Sequence, residues 1–234
     1  MRAKLAVRRA VVLVAAAITC CVTPIVSGQT TEQAIHPRLK SREVVLRSFA
    51  VVPPAVKVPP TELKPEFGGT RGAVVMDILA GATWSSTLAS VITEELKKSG
   101  WEVKALPAED TLVIDLKNRY VELDKQINNM PDDVGKGLFT LGAEAQKVGS
   151  LAPVDALVLV QAVVRITSVK GTPDLFGGAT FGDFKYAVSG RYTIVDAENG
   201  DVLYSFPIQV EGSEKKAGGR LKKTVKTAIS KLPR

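Results

Sequence analysis

Few residues in this chain have the type and spacing that chemistry needs. His36 is the only histidine, so a Ser/His/Asp relay or a histidine metal site has to use it. It lies in a polar stretch, a poor place to hold a base, and it reads as a solvated surface residue. Ser85-Ser86 lacks the Gly-x-Ser-x-Gly setting of a nucleophile elbow and reads as helix capping. The carboxylate neighbours Glu94 and Glu95, Glu109 and Asp110, and Asp132 and Asp133 are adjacent in sequence. Adjacent helix residues point apart, so none of these pairs shares an acid/base site by spacing. They read as solvated faces and N-caps. The residues therefore predict no catalytic centre, no cofactor and no metal site.

Cys20 and Cys21 are the only cysteines. Both fall in a segment with the layout of an export signal. Arg2, Lys4, Arg8 and Arg9 precede an apolar run from Ala10 to Val22, broken only by Thr19. Pro24 ends the run, and Val26-Ser27-Gly28 supplies small residues for a signal peptidase. Residues 1–28 thus read as a signal sequence, with a mature start near Gln29. A retained anchor is the alternative, although a spanning helix needs about 20 apolar residues. For the cysteines two readings stand: lipidation at Cys20 or Cys21, or small apolar residues in a discarded helix. A lipobox wants Gly, Ala or Ser before its cysteine, whereas Thr19 precedes Cys20.

Charge narrows the partners. The chain carries 31 basic and 24 acidic residues. Without the four basic residues of the signal the net charge falls from +7 to +3. Eight basic residues and no acidic one lie between Lys215 and Arg234. A general nucleic-acid binder is excluded by this pattern.

Two segments are candidate surfaces. Thr172 to Phe184 alternates Phe176, Phe181 and Phe184 with Gly177, Gly178 and Gly182, without the Gly-Lys-Ser/Thr of a phosphate loop. Its phenylalanines either fold back on the core or form an apolar tip for a partner or membrane. The other segment is the last helix, where Arg220, Lys222, Lys223, Lys226 and Lys231 oppose an apolar stripe of Leu221, Val225, Ala228, Ile229 and Leu232. The stripe favours packing on a sheet. The opposite face is a candidate contact for anionic lipid or cell-wall polymer.

Hydrophobic periodicity supplies the elements that position these residues. Gln29 to Arg42 is polar and reads as a spacer. Val45 to Val52 is a strand ending at Pro53-Pro54, followed by a Pro/Gly-rich loop to Gly72. Ala73 to Leu79 reads as a short strand or the lead-in to a helix. A helix from about Trp84 to Ser99, capped by Thr83 and stopped at Gly100, leads to a strand Trp101 to Leu106. A helix from Thr111 to Asn128 shows the period at Val113, Leu116, Tyr120, Leu123 and Ile127. Asp132 or Asp133 caps a third helical stretch to Val148. Asp155 to Val169 is the central strand. Lys185 to Val195 and Val202 to Val210 form a hairpin across Asp196 to Asp201, and a helix from about Leu221 to Leu232 closes the chain. The expected architecture is one α/β (α+β) domain over residues 43–234, a mixed sheet covered by helices that ends in an antiparallel hairpin and a C-terminal helix.

Several fragments carry a resemblance: Phe49-Ala50-Val51-Val52-Pro53-Pro54, Gly100-Trp101-Glu102-Val103, Val154 to Val160, and Tyr192 to Ser205. Together they resemble the envelope lipoproteins built on the fold of the TolB amino-terminal domain. That group includes the curli secretion channel lipoprotein and the lipoprotein activator of penicillin-binding proteins. The chain departs from it in its lipobox and in a longer Pro-rich loop. The resemblance implies a non-enzymatic module of the periplasm or outer membrane, acting through protein contacts, with an envelope protein or further copies of itself as partner. The alternative from a different class is a soluble periplasmic binder of a small ligand or envelope polymer, using the strand ends of the sheet.

Overall fold

The computed structural model describes residues 34–61, 69–173 and 179–233. Residues 1–28, read above as a signal sequence, with Cys20 and Cys21, and the segment with Phe176, Gly177 and Gly178 lie outside the described residues, as does the side chain of Phe181.

Seven strands form one mixed sheet. In chain order they are β1 (Ala34–Ile35), β2 (Ser48–Val51), β3 (Ala55–Lys57), β4 (Glu102–Ala105), β5 (Ala156–Pro173), β6 (Ala179–Asp196) and β7 (Val202–Ser213). The helices are α1 (Pro37–Lys40), α2 (Gly69–Lys98), α3 (Thr111–Asn129), α4 (Ala143–Leu151) and α5 (Glu214–Ile229), with a 3-10 turn at Pro131–Lys136. The strand order is β1-β7-β6-β5-β2-β4, and β3 adds to β5. Strands β2, β4, β3 and β5 run parallel, and β5-β6-β7 is an antiparallel meander.

Apolar side chains on both faces dictate the layers. On β5, Val158, Val160, Ala162 and Val164 point to the α2/α5 side, where Trp84, Leu88, Ile92, Leu221 and Val225 meet them. Leu157 and Leu159 point to the other side, against Leu116, Tyr120 and Val148 of α3 and α4. Arg165 and Thr167 are exposed, so this strand is covered on both faces at its start and solvated on one near its end.

Several expectations need correction. The polar spacer belongs to the fold from Ala34 onward: β1 pairs with β7, and Leu39 is fully buried. Helix α2 starts at Gly69, far ahead of Trp84. Thr83 is therefore mid-helix, and 73–79 is helix too. Glycines and β-branched residues hid this start, which Met76 and Ala80 hold by burial. Its end is as expected: Gly100 adopts φ +87, with Gly100 N donating to Lys97 O and Trp101 N to Leu96 O, a Schellman stop. The Pro-rich loop contains β3, because Pro54 is followed by extended residues that take the free edge of β5. The third helical stretch splits into the 3-10 turn and α4, divided by Gly137 (φ +73) and Gly142 (φ +55), and Met130, not Asp132 or Asp133, stands at its N-cap. Helix α5 starts at Glu214 rather than Leu221 and tolerates Gly218-Gly219 because Ala217 is buried against the sheet.

Gly200 makes the β6–β7 turn possible. Its φ is +82, and a Cβ there would sit 2.3 Å from Gly142 N.

Candidate functional site

Most buried ionisable side chains are tied into local structure. His36 is not solvated: it is buried, its Nδ1 accepts from Arg38 N at 3.1 Å, and it caps α1. Burial lowers its pKa. Asp201, Asp196 and Glu43 pull it up again, and the Arg38 charge pushes it down. Asp124 pairs with Arg191, whose Nη1 donates to Ser205 Oγ at 2.8 Å and whose Nη2 donates to Asn128 Oδ1 at 2.6 Å. Burial raises the Asp124 pKa, and Arg191 and Asn128 act against it. Glu95, also buried, lies 3.4 Å from Lys98 Nζ and 3.8 Å from Lys222 Nζ. Tyr120 OH and Thr193 Oγ1 share a buried hydrogen bond of 2.8 Å.

Others of the sequence candidates are occupied as well. Asp110 caps α3 by accepting from Leu112 N, and Asp133 accepts from Lys136 Nζ. Ser85 and Ser86 lie in the middle of α2 rather than its first turn, and Ser85 Oγ donates to Pro54 O at 3.3 Å. Among the described residues no three His, Cys, Asp or Glu side chains converge as a metal site would require. No helix of the described residues is long and apolar enough to cross a membrane.

The surface that stands out is one end of the molecule. Helix α2 carries no charge from Ile78 through Thr93. Ile78 is 66% exposed, Leu79 61% and Val74 52%. Val74, Ile78 and Ala82 repeat every four residues, so they share one outward stripe, with Leu79 beside it. Trp84, the next aromatic along the helix, packs edge-on against Tyr186 of β6 at 5.5 Å, and Tyr186 pairs with Ile166 of β5. From that level α2 extends back to Gly69, about 22 Å at helical rise. Strand β5 continues to Pro173, about 23 Å at strand rise. Both project beyond the carboxyl end of β2, so the exposed stripe and the β5–β6 hairpin occupy the same end.

This arrangement places the sequence candidates. Pro173 pairs with Ala179 at the far end of the β5–β6 hairpin, and Phe181 pairs with Gly171 through its backbone, while Phe176, Gly177 and Gly178 lie outside the described residues. Phe184 is half-buried and lies 6.2 Å from the ring of Tyr186. The basic face of α5 is elsewhere, along the flank that α5 shares with α2. Lys222 bridges Glu94 at 3.4 Å, Arg220 Nη1 donates to Glu211 O, and Lys223, Lys226 and Lys231 are exposed. Leu221, Val225, Ile229 and Leu232 are buried. The exposed stripe was missed in the sequence, although sixteen uncharged residues in a helix that must contact water are a visible signal.

A second feature adjoins the stripe. A groove of about 460 Å³ runs between α2 and the edge strand β4, lined by Pro53, Pro54, Ser86, Ala89, Thr93 and Val103, with Lys97 and Lys104 at its margin. It lies at the carboxyl ends of β2 and β4, where crossovers leave to opposite faces of the sheet.

No family model matches the sequence, and no curated protein matches it. Among solved structures, the chain is matched to the PelC dodecamer from Paraburkholderia phytofirmans at 15% identity, over 86% of this chain and 94% of that one, with a TM-score of 0.41. Lipoprotein GNA1162 from Neisseria meningitidis matches at 17% identity over 79% and 95%, with a TM-score of 0.31. The C-terminal domain of LpoB from Salmonella enterica matches at 8% identity over 74% and 92%, with a TM-score of 0.30.

Proposed function

We propose that this chain is an exported, non-catalytic accessory protein of a bacterial-type cell envelope that works by binding another envelope protein at its α2 end. The observation that carries this reading is the exposure of Val74, Ile78 and Leu79 on α2, at the start of its uncharged run from Ile78 to Thr93. Contiguous apolar surface on a soluble domain marks an interaction site, and interface cores are depleted in charge. The described β5–β6 hairpin reaches the same end, and the Gly/Phe segment of the sequence with Phe176, Phe181 and Phe184 is proposed to widen that contact. Export through residues 1–28, with lipidation at Cys20 or Cys21 as one form of it, supplies the compartment. The engagement of His36, Asp124, Glu95 and Asp133 in caps and ion pairs supports a structural use for these groups.

One observation favours a second reading, a soluble binder of a small ligand or envelope polymer. The groove between α2 and β4 sits at the strand ends where open α/β sheets hold ligands. Native complexes isolated from the envelope separate the two. If the first reading holds, Ile78→Asp with Leu79→Asp removes a specific partner while the melting temperature stays within a few degrees. Retention of every partner by that variant contradicts it.

A further inference from the structure

Strand β4 ends the sheet, and among the described residues nothing pairs with its outer side. Glu102 N donates inward to Arg47 O at 3.1 Å. By the alternation of a parallel ladder, Glu102 and Lys104 use their backbone groups toward β2. Val103 and Ala105 therefore turn N–H and C=O outward. The side chains alternate as well. Val103 packs with the α2-side core, while Glu102 and Lys104 share the opposite face, where Glu102 Oε1 lies 3.7 Å from Lys104 Nζ.

We infer that β4 is a self-complementary edge that pairs antiparallel with β4 of a second copy of this chain, about a two-fold axis at Val103. Outward backbone groups can meet only other outward ones, which leaves few registers. Val103 opposite Val103 sets Glu102 of each copy directly across from Lys104 of the other, twice by symmetry. The next register, Val103 opposite Ala105, sets Lys104 against Lys104. Opposite charges across a strand pair stabilise it and like charges weaken it, so the sequence Glu-Val-Lys-Ala selects the first register. An isologous contact of this kind closes at two copies and forms no open filament.

The test is cross-linking of the full chain carrying Val103→Cys, with Cys20 and Cys21 replaced by Ser. A hydrogen-bonded antiparallel pair holds its Cα atoms about 5.5 Å apart, within disulfide range. Val103→Cys is expected to form a covalent dimer under mild oxidation at least tenfold faster than Ser90→Cys, an exposed position on α2. Adding Glu102→Lys or Lys104→Glu to Val103→Cys should slow it back toward the control. Adding both exchanges together should restore it, because the pairing is then complementary again with the signs reversed. Circular dichroism melting of each variant shows that the fold persists. A rate for Val103→Cys no greater than the control overturns the inference. So does indifference of the rate to the single charge changes, since the contact would then lie elsewhere. The α2 stripe is untouched by these variants, so failure here leaves the proposed partner end standing.

Discussion

Arg191 Nε lies 3.2 Å from Asp124 Oδ1, with side chains 10% and 7% exposed, between β6 and α3. The bonds to Ser205 and Asn128 fix the guanidinium in place beside the carboxylate. A charge pair taken out of water gains little overall, yet removing one partner leaves the other stranded. Asp124→Ala or Arg191→Ala alone should cost about 3 kcal/mol or more. Asp124→Leu with Arg191→Met should recover most of that loss. Urea unfolding midpoints of the three variants check this, and additive losses would show that the pair is not a unit.

His36 should make stability depend on pH. Its pKa is lowered from the usual 6.5, first by burial. The unfolded chain then takes up a proton before the folded one does. Stability is full above about 6.5 and is lost as pH falls from there through the lowered value. His36→Asn keeps a side-chain acceptor for Arg38 N and should flatten that part of the profile. Thermal melting between pH 7.5 and 5 is the measurement; a parallel decline in both proteins would assign the loss to other groups.

The sheet was legible where hydrophobic period and length agreed. Val158 to Val164 and the Asn199-Gly200 turn gave the meander, and Val113 to Ile127 gave α3. What stayed hidden was held by tertiary contact. Residues 73–79 read as a short strand or a helix lead-in, because the valines favour strand and the flanking glycines weaken a helix, yet burial of Met76 and Ala80 makes them helix. His36 looked solvated because its neighbours are polar, while the pairing of Ala34 and Ile35 with β7 draws it inward. The exposed α2 stripe was out of reach for a related reason. The uncharged run from Ile78 to Thr93 is a visible signal, but that Ile78 itself is exposed depends on how far α2 projects past Trp84.

Helix α5 separates packing from charge. Val225 is 1% exposed, and Val225→Asp should unfold the domain or lower its stability by about 3 kcal/mol or more. Lys226→Glu should change little. Lys222→Glu should cost about 1 kcal/mol, because it places a carboxylate beside Glu94 and the buried Glu95. Equal effects of the two lysine changes would contradict that distinction.

Export is read from residues 1–28, and intact mass of the native protein tests it. A mature start near Gln29, or a lipid-modified start at Cys20 or Cys21, is expected. A species that retains an unmodified Met1 and stays in the cytoplasm removes the envelope from the account.

The central claim is that the α2 end holds a protein partner, and site-specific photo-cross-linking in intact cells tests it most directly. A photoreactive residue at position 78 should give one discrete adduct with another envelope protein. The same residue at position 115, exposed on α3, should give none. The adduct at 78 should disappear when Leu79→Asp is added, while the melting temperature stays nearly unchanged. No adduct at 78, or the same pattern at 78 and 115, would contradict the account.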